Sequence, residues 1–122
     1  MKKSIGLLLA VSVVAVGLYA SIASASPQST KAVLVTVTMT DYHFKLSKTT
    51  GYKRGVAYTF KAINKGAAFH NFDIQGLKAT KVITHGKTSS FTITFKKAKK
   101  YQYICDVPRH AELGMAGFIK VT

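Results

Sequence analysis

The chain is poor in cysteine, acid and proline, with one Cys, four Asp and Glu together, and two Pro in 122 residues. The single cysteine, Cys105, excludes an intramolecular disulfide. In an oxidising compartment such a thiol is buried, paired between chains or bound to a metal. No cysteine lies near the N-terminal segment, which excludes lipid attachment at a cysteine there. The scarcity of acid leaves 18 Lys and Arg unbalanced, a net charge of +14. That charge points to acidic partners or an anionic surface such as a membrane. No nucleic-acid recognition motif is visible, and no carboxylate motif stands ready to orient a Cys–His nucleophile pair. Beyond residue 25 there is no helical period, no internal repeat and no linker, so one domain without substantial helix is expected.

Residues 1–25 read as an export signal. Lys2 and Lys3 form a basic start, Ile5 to Ala20 an apolar run, and Ala23-Ser24-Ala25 a small-residue cleavage site. The run is shorter than the roughly 20 residues that span a bilayer, and Gly6, Ser12 and Gly17 dilute it. Cleavage is therefore preferred to a retained anchor. A mature domain of residues 26–122 keeps sixteen Lys and Arg against four acids, a net charge of about +12. Export to the periplasm or beyond separates it from nucleic acid.

The rest alternates with period two. Val33, Val35, Val37 and Met39 share one face of a strand, Tyr42, Phe44 and Leu46 a second, Val56, Tyr58 and Phe60 a third, and Phe91, Ile93 and Phe95 a fourth. Ala67 to Ile74 is expected to form another strand or strand edge, and Phe118 to Val121 the last. Asn64-Lys65-Gly66 and His85-Gly86-Lys87 are turn signals. Short strands separated by turns imply an all-β, antiparallel sandwich or small barrel.

Chemistry is concentrated in Tyr101 to Gly117, Y-Q-Y-I-C-D-V-P-R-H-A-E-L-G-M-A-G. Tyr101, Tyr103 and Cys105 fall on one strand face, Pro108 ends the ladder, and Gly114 and Gly117 allow tight backbone around Met115. A thiolate, an imidazole from His110 and a thioether from Met115 lack only a second histidine to make a copper electron-transfer set. Zinc would accept the cysteine and the histidines but rarely a methionine. His70, approached through Gly66-Ala67-Ala68-Phe69 and followed by Asn71, is the preferred upstream ligand. His85 lies in a turn, His43 sits between two aromatic residues, and Asp73 and Glu112 read as surface charges.

The elements Y-I-C, P-R-H and G-M-A-G-F-I-K-V resemble the copper loop of the cupredoxins, the small blue-copper proteins. The C-x4-H-x4-M spacing is similar to that of rusticyanin- and sulfocyanin-like members, and His70-Asn71 looks like the upstream His-Asn pair. The resemblance implies a Greek-key sandwich over residues 26–122 and one type 1 copper ion held by His70, Cys105, His110 and Met115. It also implies an asparagine that ties the ligand strands together, and electrons that leave through the exposed edge of His110. Here the residue after the cysteine is Asp106, where familiar members carry Ser or Thr. The expected activity is single-electron shuttling by a non-enzymatic, monomeric carrier, with an acidic cytochrome or oxidase as partner. A copper carrier or storage module would use the same ligands. An adhesive β-sandwich would bind no copper. The densest basic cluster, Lys96-Lys97-Ala98-Lys99-Lys100, reads equally as a docking patch or as a solubilising turn that blunts a sheet edge.

Overall fold

A computed structural model describes residues 6, 10–17, 21–24 and 29–122. The basic start and the Ala25 cleavage position of the expected export signal lie outside the described residues. Among the described residues no helix is long and apolar enough to cross a membrane.

Eight strands form two four-stranded sheets. The first sheet holds β1 (Val33–Thr40), β2 (His43–Leu46), β3 (Ala57–Asn64) and β6 (Thr88–Thr94), in the order β2-β1-β3-β6. The second holds β4 (Asp73–Ile74), β5 (Lys78–Ala79), β7 (Lys100–Ile104) and β8 (Ala116–Lys120), in the order β5-β4-β7-β8. The all-β sandwich read from the alternation is the architecture found. One pairing adds to it: β1 and β3 run parallel, with Val35 opposite Phe60 and Val37 opposite Ala62. Side-chain alternation is the same in parallel and antiparallel strands, so it carries no information on direction.

Most of the alternating residues point where their pattern places them, but Val33 and Tyr42, at the ends of theirs, are exposed. Val35, Val37 and Met39 of β1 and Phe60 and Ala62 of β3 are all fully buried. Between the sheets the aromatic rings stack: Phe60 lies 5.5 Å from Phe72, 5.6 Å from Phe91 and 6.2 Å from Tyr52, centroid to centroid. Tyr52 is fully buried and satisfies its hydroxyl by donating to the Lys48 carbonyl at 2.6 Å, as a buried phenol must.

The expected strand from Ala67 to Ile74 is mostly loop. Only Asp73 and Ile74 join a sheet, and His70 makes a lone bridge to Ile83. The cause is Asn64, a fully buried residue at the end of β3. Its amide donates to the carbonyls of Ala68 and Ile83, both at 2.8 Å, and its carbonyl oxygen accepts from Gly66 N–H at 2.8 Å. These bonds satisfy a curved path that a ladder would have straightened. His70 therefore sits on a braced loop at one end of the sandwich.

Because Phe60 fills the space between the sheets, Phe60→Ala should cost about 3–5 kcal/mol of unfolding free energy, measured by equilibrium denaturation. A loss below about 1 kcal/mol would show that the two sheets are not held through this ring stack.

Candidate metal centre

Three segments meet at the end of the sandwich that carries the 64–70 loop. Cys105 follows the last residue of β7, and its N–H donates to the Met115 carbonyl at 3.1 Å. His110 lies in a tight loop whose N–H groups fold back: His110 N–H reaches the Val107 carbonyl at 3.1 Å, and Met115 N–H the His110 carbonyl at 3.0 Å. Two left-handed residues, Arg109 (φ 71°) and Gly114 (φ 123°), let the loop close in so few residues. At Gly114 a Cβ would also stand 3.2 Å from the Tyr42 carbonyl. His70 is fixed by backbone bonds in both directions with Ile83, at 3.2 and 2.9 Å.

The side chains converge. His70 Nδ1 and His110 Nδ1 are 3.1 Å apart, and Cys105 Sγ stands 3.9 Å from the first and 3.6 Å from the second. All three donor atoms lie within 4.8 Å of one another, and all three residues are buried. Donors at ~2.0 Å (nitrogen) and ~2.3 Å (sulfur) from one first-row ion stand roughly 3–4 Å apart, so this spacing fits a shared ion. Met115 is fully buried, with its backbone bonded to both Cys105 and His110. With the Met115 thioether added, the donors would be a thiolate, two imidazoles and a thioether, the combination that suits copper. His43 and His85 are exposed, and His85 donates to or accepts from nothing in the cluster, its Nδ1 lying 2.9 Å from the Gly66 carbonyl.

The surroundings tune these ligands. Burial away from water, reinforced by neighbouring His70, holds His110 below the usual imidazole range. It is therefore a neutral nitrogen donor near neutral pH. The ring of Tyr42 packs edge-on against it, centroids 4.8 Å apart. Asn71 clasps Asp106 reciprocally: its amide donates to Oδ2 at 2.8 Å, and Asp106 N–H donates to its carbonyl oxygen at 2.7 Å. The Asp106 carboxylate thus takes the bond expected of a tie between the ligand strands.

Two acids differ from their sequence reading. Asp73 is half-buried on β4, opposite Ile104, and accepts from Gln75 at 2.7 Å. Burial and the neighbouring Asp106 carboxylate push it up from 3.8 to about 6. Asp41, just past β1, carried no sequence signal. Its carboxylate lies 2.5 Å from His70 Nε2 and accepts from Ala67 N–H at 2.9 Å and Ala68 N–H at 3.2 Å. The His70 bond, aided by these backbone donors against partial desolvation, holds its carboxyl below the usual range. Only an acid that recurs in the same place across relatives would have exposed it from sequence. Glu112 is exposed, as expected.

Comparison with known proteins agrees with this fold. The sequence profile of the cupredoxin-like domain matches residues 8–116. Reduced auracyanin from Roseiflexus castenholzii superposes with a TM-score of 0.61 at 18% identity, covering 76% of this chain and 98% of that one. Auracyanin A, a "blue" copper protein from Chloroflexus aurantiacus, gives 0.59 at 19% identity, covering 75% and 100%. The multicopper oxidase McoA of Aquifex aeolicus gives 0.61 at 16% identity, with 73% of this chain matched to 26% of the oxidase. No curated protein matches the chain in sequence.

The raised Asp73 has a signed consequence. Its folded form binds a proton more tightly than the unfolded chain. Its contribution to stability is therefore full below about pH 3.8 and is lost as pH rises through about 6. Asp73→Asn should make the metal-free protein more stable than its parent at pH 7, with the gap closing at pH 4, as read from denaturation midpoints. A gap of equal size at both pH values would refute the assignment of the effect to this carboxyl.

Proposed function

The chain belongs to the cupredoxin-like domain family, and we propose that it is a blue-copper electron carrier working outside the cytoplasm, with His70, Cys105, His110 and Met115 as ligands of one copper ion. The observation that carries this is the convergence of two buried imidazole nitrogens and one buried thiol within 4.8 Å. Copper bound there would supply the one-electron couple between its +1 and +2 states.

The chain's own part is to hold the donors still. Each ligand is fixed by backbone bonds on braced loops, and the Asn71–Asp106 clasp links the two segments that carry His70 and Cys105. Donors that do not move between oxidation states leave little rearrangement to oppose transfer. The likeness to auracyanins over nearly their whole length favours a carrier over an enzyme. The multicopper oxidase neighbour matches over only 26% of its own length. His110, with Tyr42 on its ring and Leu113 exposed in its loop, marks the exit toward a redox partner.

The densest basic cluster, Lys96 to Lys100, lies at the opposite pole. Lys100 pairs with Lys120 at the start of β7, Lys96 to Lys99 precede it, and Arg54 N–H reaches the Thr122 carbonyl at 3.0 Å. Cys105 directly follows the same strand, five residues on at ~3.3 Å each, or roughly 17 Å away. All four acids, Asp41, Asp73, Asp106 and Glu112, lie in or beside the ligand-bearing segments. With a Debye length of about 8 Å at physiological salt, the lysines reach a partner at His110 only in dilute buffer. They steer an acidic cytochrome or oxidase there. The same cluster also suits an anionic membrane surface at close range.

Copper-loaded protein should show an intense blue thiolate band that is lost in Cys105→Ser, and a band that persists in the serine variant would sink the ligand assignment. Oxidation and reduction by an acidic cytochrome faster than copper release separates a carrier of electrons from a carrier of copper. Replacing Lys96, Lys97, Lys99 and Lys100 with Gln should slow association with that partner about tenfold or more in dilute buffer and little at 0.15 M salt. Equal rates for parent and variant in dilute buffer would remove the steering role.

A further inference from the structure

The carboxylate of Asp41 is placed against the ligand histidine on the side away from the metal position. His70 Nδ1 faces Cys105 and His110, and its other ring nitrogen, Nε2, lies 2.5 Å from Asp41 Oδ1. His70 has no solvent exposure, whereas the Asp41 side chain keeps 30% of its own. With Nδ1 turned to the metal, Nε2 carries the proton and donates it to the carboxylate, which fixes both tautomer and ring orientation. The same carboxylate accepts from Ala67 and Ala68 N–H, so the loop that carries His70 is gathered around it.

Gly66 is a second, independent sign that this contact is built in. A Cβ there would collide with Asp41 Oδ1 and stand 2.9 Å from His70 Nε2. The loop approaches the pair so closely that no side chain fits. Asp41 is also one of only four acids in a chain of net charge +14.

Resting on the copper reading above, the geometry assigns Asp41 as a positioning residue that sets the donor strength of His70 and holds the reduction potential down. The Nε2–H···carboxylate bond shifts electron density toward Nδ1, and a fixed negative charge behind the ring favours the +2 ion over the +1 ion. Loss of the carboxylate should therefore raise the potential and weaken Cu(II) binding more than Cu(I) binding.

The test uses the full chain loaded with copper. Asp41→Asn keeps an acceptor for Nε2–H and removes the charge, so it should keep the blue band and raise the potential. Asp41→Ala should raise the potential as well and weaken Cu(II) affinity by roughly 10–100-fold. Gly66→Ala, which alters no charge, should move the affinity in the same direction by displacing the carboxylate. In the diamagnetic Cu(I) form, the His70 Nε2–H proton should exchange slowly with water in the parent and fast in Asp41→Ala. A drop in thermal stability with unchanged potential, affinity and proton exchange would make Asp41 a loop cap and nothing more, and would overturn the assignment. Absence of a blue band in the parent would remove the copper reading itself, a result distinct from a parent that is blue and variants that match it.

Discussion

The metal centre depends on a clasp between two backbone segments far apart in sequence. Asn71 and Asp106 are 35 positions apart, yet each donates to the other at 2.7–2.8 Å. One flanks His70 and the other flanks Cys105, so the bonds set the separation of two ligands directly. Neither histidine nor cysteine could be placed to a few tenths of an ångström by packing alone, because His70 sits on a loop that joins the sheets only through a single bridge. The sandwich supplies the rigid frame, and the clasp transmits it to the ligand atoms. A reciprocal pair with both partners satisfied resists rotation of either side chain, which a single hydrogen bond does not.

Much of this was legible before any coordinates, for a definable reason. Period-two alternation reports which residues face a core, and Val35, Val37, Met39, Phe60 and Phe91 are all buried as the pattern requires. The Cys105–His110–Met115 spacing reports a loop, and a loop is local. His70-Asn71 stands out because the two residues are adjacent, and His70 does lie beside Cys105 and His110. What was illegible is nonlocal. The parallel register of β1 against β3 depends on connections that alternation does not encode. Asn64 reads as a turn residue, while its buried amide in fact organises five residues of loop. Asp41 lies 29 positions before the histidine it touches, in a stretch with no motif.

Charge is arranged along the same axis as the strands. The Lys96 to Lys100 cluster and the copper end are separated by the length of β7, and the acids gather where a cation is to be held. A uniformly cationic body would stabilise the +1 ion relative to the +2 ion and would also repel the metal on entry. Asp41 behind His70 and Asp106 beside Cys105 oppose both effects at short range, where screening is weakest. Asp73 adds a third carboxyl, but burial and the neighbouring Asp106 carboxylate make it take up a proton more readily than an ordinary aspartate. The distant lysines act through solvent and are attenuated by salt, whereas the nearby acids act through fixed hydrogen bonds. The two sets of charges therefore answer to different conditions: ionic strength governs how the protein meets its surroundings, and the hydrogen-bonded carboxylates govern the ion whatever the salt.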